Sequence, residues 1–388
     1  MFSKFKRKSQ STAFTFSHHT SLSEIQESWD VLLPENHHLL SHNLHFLEQN
    51  TRIQGHYVQV LKNGEFLGNL YLQKVKVPMN NISQSLKNFQ KLECFFNSIK
   101  NVSCGLNFLV CGNVYRPKQE GYFFENGLTK EEVFEAFIAY IESVEKKIGF
   151  AGILIKECAS PLLTEGKFRP IKQDVSMEMS INTDWWTIDD YVEDLDKKYR
   201  KRFQKIKESG AELEKRELST HELLTLQKEM LGLYNQVYST QDFNLTDIKK
   251  DYFINLKDLL GEKLKIYGFF KNEKLFAFTT HIYNENRQME IHYIGLNYAS
   301  NKKYNLYFNI LQFGLEKAIM DRQKSLELGR TAHIAKASLG AKPTPNYNYV
   351  YFKKHIYSWS FQLFLKKMYR NIESEWQTRS PFAAGVEV

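Results

Sequence analysis

Glu290 and His292 stand two residues apart in the run QMEIHYIGL. In an extended segment residues i and i+2 share a face, so this carboxylate and this imidazole are placed side by side. Such a pair can accept a proton from an ammonium group and free the amine to attack an activated carbonyl. His281, in the preceding apolar run LFAFTTHIY, is expected on the neighbouring strand with its ring on the same surface. Downstream, NYASNKKY joins this strand to a helix. Its Ser300, Asn301, Lys302, Lys303 and Tyr304 are the expected donor-binding set. A helix start offers unpaired N–H groups and the positive end of a dipole, which suits phosphates. Arg330 and Lys336 follow Gly329 at the expected carboxyl end of a strand, where ligands bind in open α/β sheets. There they can hold a carboxylate, a phosphate or a developing oxyanion. No Ser-His-Asp or Cys-His arrangement stands out, so direct attack by an amine is more economical than a covalent acyl-enzyme.

The strongest charge feature lies upstream. The stretch KKYRKRFQKIK, 197–207, carries seven Lys or Arg in eleven residues. It reads either as a solvated helix face or as a surface for phosphates of an RNA, a carrier or lipid headgroups. A formal charge of +8 favours anionic partners without choosing among them. Four histidines, His37, His38, His42 and His45, sit among Leu39, Leu40, Leu44, Phe46 and Leu47, which read as a packed helix, so no metal is assigned. Cys94, Cys104, Cys111 and Cys158 lack CxxC spacing and fit free thiols in a reducing compartment. Neither a secretory leader nor a run of roughly 20 apolar residues is evident. The expectation is a cytoplasmic protein, with membrane-peripheral placement as a further candidate.

These groups need elements to position them. A length of 388 residues implies two domains. Two segments echo each other. HYVQVLKNGEFLGNLYLQKV and LKIYGFFKNEKLFAFTTHIY both read as hairpins, with Lys62-Asn63 matching Lys271-Asn272, and Phe66, Leu67 and Gly68 matching Leu275, Phe276 and Ala277. Each is succeeded by strand-like runs, an amphipathic helix (129–147 and 303–321) and a short strand (152–155 and 326–328). Two copies of hairpin, strand, helix and strand imply a duplicated α/β unit. Helices are expected at 189–208, 220–238 and 247–260, and the boundary between units near 172–183. The aromatic run IYSWSFQLFLKKMY, 356–369, is expected to pack across the junction.

The stretch LGRTAHIAKASLGAK, 328–342, resembles a Leu-Gly-Arg-Thr-Ala pattern with downstream Lys and Gly-Ala that many bacterial FemAB-like acyltransferases carry. Together with the element order it makes the chain similar to tandem GNAT-fold N-acyltransferases. The resemblance implies an α/β (α+β) fold of two tandem GNAT-like domains, each a mixed, mostly antiparallel sheet flanked by helices. The expected division is a degenerate N-terminal domain over 1–178, a donor-binding domain over 179–355, and a C-terminal helix and tail over 356–388. Many GNAT proteins carry an Arg/Gln-x-x-Gly-x-Gly/Ala loop where this chain has NYASNKKY, so acetyl-CoA in particular is not indicated. FemAB-like proteins often have a basic Tyr-Arg-Lys segment, which here points to Tyr199 and Arg200 as substrate-binding residues beside Arg330 and Lys336. The implied activity is transfer from an acyl-CoA or acyl-carrier thioester, used as co-substrate, to a primary amine of a small molecule, amino lipid or cell-wall precursor. No permanently bound cofactor is expected. An anionic membrane surface or an acyl carrier protein is a candidate partner, and DNA is not. Aminoacyl-tRNA as donor, or a binding protein on the same fold, are the alternatives.

Overall fold

The computed structural model describes residues 14–77, 106–125, 128–144, 149–158, 168–171, 175–240, 246–353 and 379–386. The aromatic run 356–369 lies outside them. The internal echo holds at the level of backbone geometry. β2 (Gln54–Lys62) and β3 (Glu65–Val77) come after an edge strand, β1 (Phe14–His19). They are joined by Asn63 and Gly64, both at positive φ. β10 (Leu264–Lys271) and β11 (Lys274–Asn284) are joined by Asn272 and Glu273, again both at positive φ. Two left-handed central residues give the turn whose twist matches that of the strands. Each hairpin also carries a bulge at the same place, between Val60 and Leu61 in one and between Phe269 and Phe270 in the other.

The strands downstream of the two hairpins also correspond. β4 (Leu106–Cys111) runs parallel to β6 (Gly152–Cys158), and β12 (Gln288–Leu296) runs parallel to β13 (Ser325–Glu327). The two parallel pairs differ in one respect. β4 ends at its last partnered residue, Cys111 opposite Ile155. β12 parts from β13 at Glu290 opposite Glu327 and continues to Leu296. The second unit therefore has a fork between two parallel strands, and the first does not.

The chain forms two mixed, mostly antiparallel sheets flanked by helices, as the tandem GNAT-like expectation required. The first has the order β1-β2-β3-β4-β6-β15-β7, with β5 (Tyr122–Phe124) beside β3, β7 at Arg169–Ile171 and β15 at Tyr347–Phe352. The second has the order β14-β8-β13-β12-β11-β10-β9, with β8 at Val175–Ser180, β9 at Glu214–Glu217 and β14 at Lys342–Pro345. This topology revises the expected division at 178/179. β8 spans that point and lies wholly in the second sheet, whereas β15, counted with the second unit, pairs with β6 and β7 of the first. The cause is non-local: Tyr349 and Tyr351 of β15 are buried in the first core with Phe137 and Phe168.

Two expected helices are broken in two. The 189–208 span divides into Ile188–Asp194 and Lys197–Ser209, because Asp196 accepts from Lys198 N and starts a new helix. The 303–321 span becomes Tyr298–Tyr304 and Leu306–Met320, separated by Asn305 in the left-handed conformation. The helix Thr220–Tyr238 stands where its periodicity placed it, opened by a reciprocal Ser219–Glu222 capping box. One buried cluster spans both units. Trp29, Leu44, Tyr57 and Tyr71 of the first join Tyr234, Tyr252, Phe253 and Phe278 of the second.

Gly295 lets the helix Thr220–Tyr238 lie directly on β12. A Cβ there would stand 2.2 Å from the Phe278 ring and 2.8 Å from the backbone N of Tyr234. Relief would have to come from the helix backbone, not only from a side chain. Gly295→Ala is expected to lower unfolding free energy by about 1–3 kcal/mol, as overpacking does; urea denaturation of the variant against the wild type measures it.

Candidate functional site at the fork between β12 and β13

The fork is closed on one side by a loop from the other unit. Residues 112–120 leave β4 and reach across to the second sheet. Arg116 Nη2 lies 3.2 Å from Glu290 Oε2 and 3.3 Å from Asn284 Oδ1. Two residues on, Lys118 Nζ lies 2.9 Å from Glu327 Oε2 and 2.5 Å from Glu178 Oε2. Glu290 and Glu327 are the last partnered residues of β12 and β13. One turn of loop, Arg116-Pro117-Lys118, thus supplies a cation to each carboxylate at the root of the fork. The loop is held from both sides: Gln73 Oε1 accepts from Val114 N at 2.8 Å, and Tyr293 Oη donates to Tyr115 O at 3.3 Å.

Around this clamp the buried groups fall into two sets. On β12, His292 Nδ1 donates to Glu290 Oε1 at 3.0 Å and Nε2 accepts from Tyr252 Oη at 3.1 Å, which fixes the tautomer. Burial pushes the Glu290 carboxyl up, but the charge of Arg116 and the His292 hydrogen bond outweigh it and hold the group near 2. Burial also lowers His292, partly offset by Glu290. Beside β13, Glu157 is fully enclosed. It accepts from Lys118 N at 2.6 Å and pairs with Lys156 and Arg330. Adjacent residues on a regular strand face opposite ways. Here the β6–β15 register shifts near Glu157, which has positive φ, and Lys156 and Glu157 both turn toward the loop.

Lys336 is the exception in this network. It is 3% exposed, yet its Nζ, which keeps some contact with solvent, makes no hydrogen bond or ion pair with any described residue. Burial pushes its ammonium down to about 7, against an opposing pull from Glu327. Gly329 turns the chain back from β13 at φ +79, and a Cβ on it would stand 3.8 Å from Lys336 Nζ. Gly329 N donates to Glu327 Oε1 at 3.0 Å. Burial leaves the Glu327 carboxyl above its usual range despite Lys118.

The expected site residues divide accordingly. Glu290 and His292 share a face and touch, as the alternation required. His281 does not join them. It is the cross-strand partner of Ile291, so it points to the opposite face, packed on Tyr267 and Phe313. Both ring nitrogens lack a partner, and burial lowers the ring to about 3. Arg330 and Lys336 do come to the fork. Thr331 is exposed, and the helix His333–Ala337 begins from Ala332 without a side-chain cap. The expected donor loop is itself the short helix Tyr298–Tyr304. Asn297 Oδ1 accepts from Ser300 N, and Asn301 Oδ1 accepts from Tyr307 N, so local side chains take amides that a phosphate would need. Tyr304 is buried, while Lys302 and Lys303 are exposed. Tyr199 is half-buried against the second core. Arg200 donates to the carbonyls of Val192, Glu193 and Leu195, closing the end of the preceding helix.

Arg116, Lys118, Lys156, Glu157, Glu178 and Glu327 were not anticipated. For Lys156, Glu157, Glu178 and Glu327 the one sequence signal is charge inside strand runs, as in GILIKEC and SLELG, where a solvated charge would be out of place; Arg116 and Lys118 lie in a polar loop and carry no such signal. Among the described residues no three His, Cys, Asp or Glu side chains converge to hold a metal ion. No described helix is long and apolar enough to cross a membrane.

No protein-family model and no curated protein matches the sequence. Among solved structures, the chain is similar to FemX, at 10% identity and a TM-score of 0.48 over 90% of this chain and 100% of that one. It is also similar to a GCN5-related N-acetyltransferase from Anabaena variabilis, at 8% identity and a TM-score of 0.46 over 87% and 72% of the two chains. The C-terminal domain of a putative lysylphosphatidylglycerol synthetase from Agrobacterium fabrum gives 13% identity and a TM-score of 0.41 over 72% and 84%.

Arg116→Met strands the Glu290 carboxylate in the interior, and breaking a buried pair costs about 3–5 kcal/mol. Linkage sets the sign of the pH dependence. A carboxylate held near 2, against 4.5 unperturbed, contributes stability above pH 4.5 and loses it as pH falls toward 2. The stability gap between wild type and Arg116→Met, measured by denaturant titration, should be full at pH 6–7 and shrink through that window.

Proposed function

We propose that this protein is an N-acyltransferase that moves an acyl group from a thioester to a primary amine of a small molecule, amino lipid or cell-wall precursor. One observation carries this reading: the open fork at Glu290 and Glu327, with a buried unpaired amine beside it. Beyond Glu290, β12 has no partner strand on the β13 side among the described residues. Its main chain there is the natural place to polarise a thioester carbonyl. The donor's phosphates would lie toward the exposed Lys302 and Lys303, met by side chains, not by helix amides. The acceptor would enter between the units, beside Arg330, which is paired with Glu157 and keeps 31% of its side chain exposed. Glu290 and His292 act here as a positioning pair. Both carboxylate oxygens and both ring nitrogens are already engaged, so the pair holds the loop and β12 in register.

A panel of acyl-CoA and acyl-carrier thioesters, each with a set of primary amines, tests this. Release of free thiol matched by amide formation is expected for at least one pairing. Absence of transfer from every thioester would remove the reading.

A second reading has a specific observation behind it. On the helix Lys197–Ser209, Lys197, Lys198, Lys201, Arg202 and Lys205 share one exposed face opposite Phe203 and Ile206. Among the described residues none of the five has an acidic partner within ion-pair distance. Such a stripe fits a polyanion, as an aminoacyl-tRNA donor would be. That case predicts RNA affinity whose logarithm falls linearly with log salt, at about 0.7–0.9 per phosphate contacted. Lys201→Gln with Lys205→Gln should then flatten the slope by about 1–2; electrophoretic shifts across a salt series would read it.

A further inference from the structure

We infer that Lys336, in its uncharged form, takes the proton from the incoming ammonium group at the fork. This assignment rests on the acyl-transfer reading above and names the base within it. The geometry comes first. Lys336 is fixed by the helix His333–Ala337, which packs on β8, and its amine lies against the Gly329 turn at the end of β13. That places it beside Glu327, which is the partner across the ladder of Glu290. Among the described residues it is a buried amine with no hydrogen-bond partner, in a network where the neighbouring carboxylates are all bonded. A buried ammonium without partners is costly, so the neutral amine is the favoured form of an isolated group.

The charged groups around it agree. Glu327, from β13, is the one carboxylate acting on Lys336, and Lys118 from the 112–120 loop pairs with it at 2.9 Å. Glu178, from β8, is likewise paired with Lys118 and accepts from Gln288 Nε2. His333, one turn earlier on the same helix, is lowered by burial and by any charge on Lys336, against a backbone hydrogen bond to Val175 that raises it. Among the described residues Glu327 pulls the Lys336 ammonium up, but burial outweighs it and brings the pKa to about 7. Glu290, held near 2, is the weaker base by far. A base is most effective when its pKa lies near the working pH.

The step balances without a further reactant. The acceptor arrives as R–NH3+ and gives one proton to Lys336 Nζ. The freed lone pair forms the C–N bond to the thioester carbonyl carbon, and collapse of the tetrahedral adduct breaks the C–S bond. The Lys336 ammonium returns its proton to the departing thiolate, and the second proton lost by nitrogen goes to water.

The test uses the full chain with a thioester and amine pair that the wild type turns over, and two variants. Lys336→Met keeps the volume and removes the amine. Lys336→Arg keeps a cation that does not deprotonate. With an alkylamine at pH 7, both are expected to fall by about 100- to 10,000-fold in kcat, the usual worth of a positioned base. The wild-type kcat should rise with pH through about 7, and that limb should vanish in both variants. With hydroxylamine, which is already uncharged at pH 7, wild type and Lys336→Met should differ by less than about tenfold, because no base is needed. An unchanged alkylamine rate in Lys336→Met, or an equal loss with hydroxylamine, would overturn the assignment while leaving the acyltransferase reading intact. A wild type inactive with every thioester would overturn both.

Discussion

Four charges at the root of the fork hold this molecule in one arrangement. Arg116 against Glu290 and Lys118 against Glu327 tie a loop of the first unit to the two parallel strands of the second. Glu290 is 3% exposed and Glu327 1%, so neither carboxylate has water to fall back on. Buried pairs of this kind add little net stability over apolar packing, but losing one partner is expensive. Both cations of the loop meet a carboxylate in this one register. The same pairs sit where β12 and β13 part.

The clamp also sets the electrostatics of its surroundings. Lys118 pairs with Glu327, whose pull on Lys336 is outweighed by burial. Arg116 holds Glu290 ionised and engaged, so Glu290 orients His292 and accepts no further proton at neutral pH. Two carboxylates at one rung of a ladder thus have opposite shifts, one lowered and one raised. The difference arises from how far a cation and hydrogen-bond donors compensate burial at each. A loop that is structurally a connector thereby determines which group near the fork is free to exchange a proton.

The duplicated units have diverged in a physically legible way. Both keep the bulged hairpin and the parallel pair. In the first, the leading parallel strand ends where pairing ends, and the chain departs as the clamp loop. In the second, the equivalent strand runs on and leaves an open edge. The loop of the first unit packs at the fork of the second, and β15 returns to the first sheet.

Local chemistry in the sequence settled much of this. The two-residue turns, the alternation that pairs Glu290 with His292, the capping box at Ser219 and the period of the helix 220–238 all act over a few residues, so their signals sit in the chain itself. Cross-chain relations were not legible. His281 faces away from Glu290 because cross-strand register places it opposite Ile291, and the sheet, not the segment, sets register. The expected donor loop became a short helix capped locally by Asn297 on Ser300 N, and Asn301 accepts from Tyr307 N, which the turn at Asn305 brings within reach. Arg116 meets Glu290 across 174 residues, and Lys336 owes its state to enclosure by strands and a turn. Enclosure and long-range pairing are properties of the packed molecule, and they alone decide which charges survive and which amine is left bare.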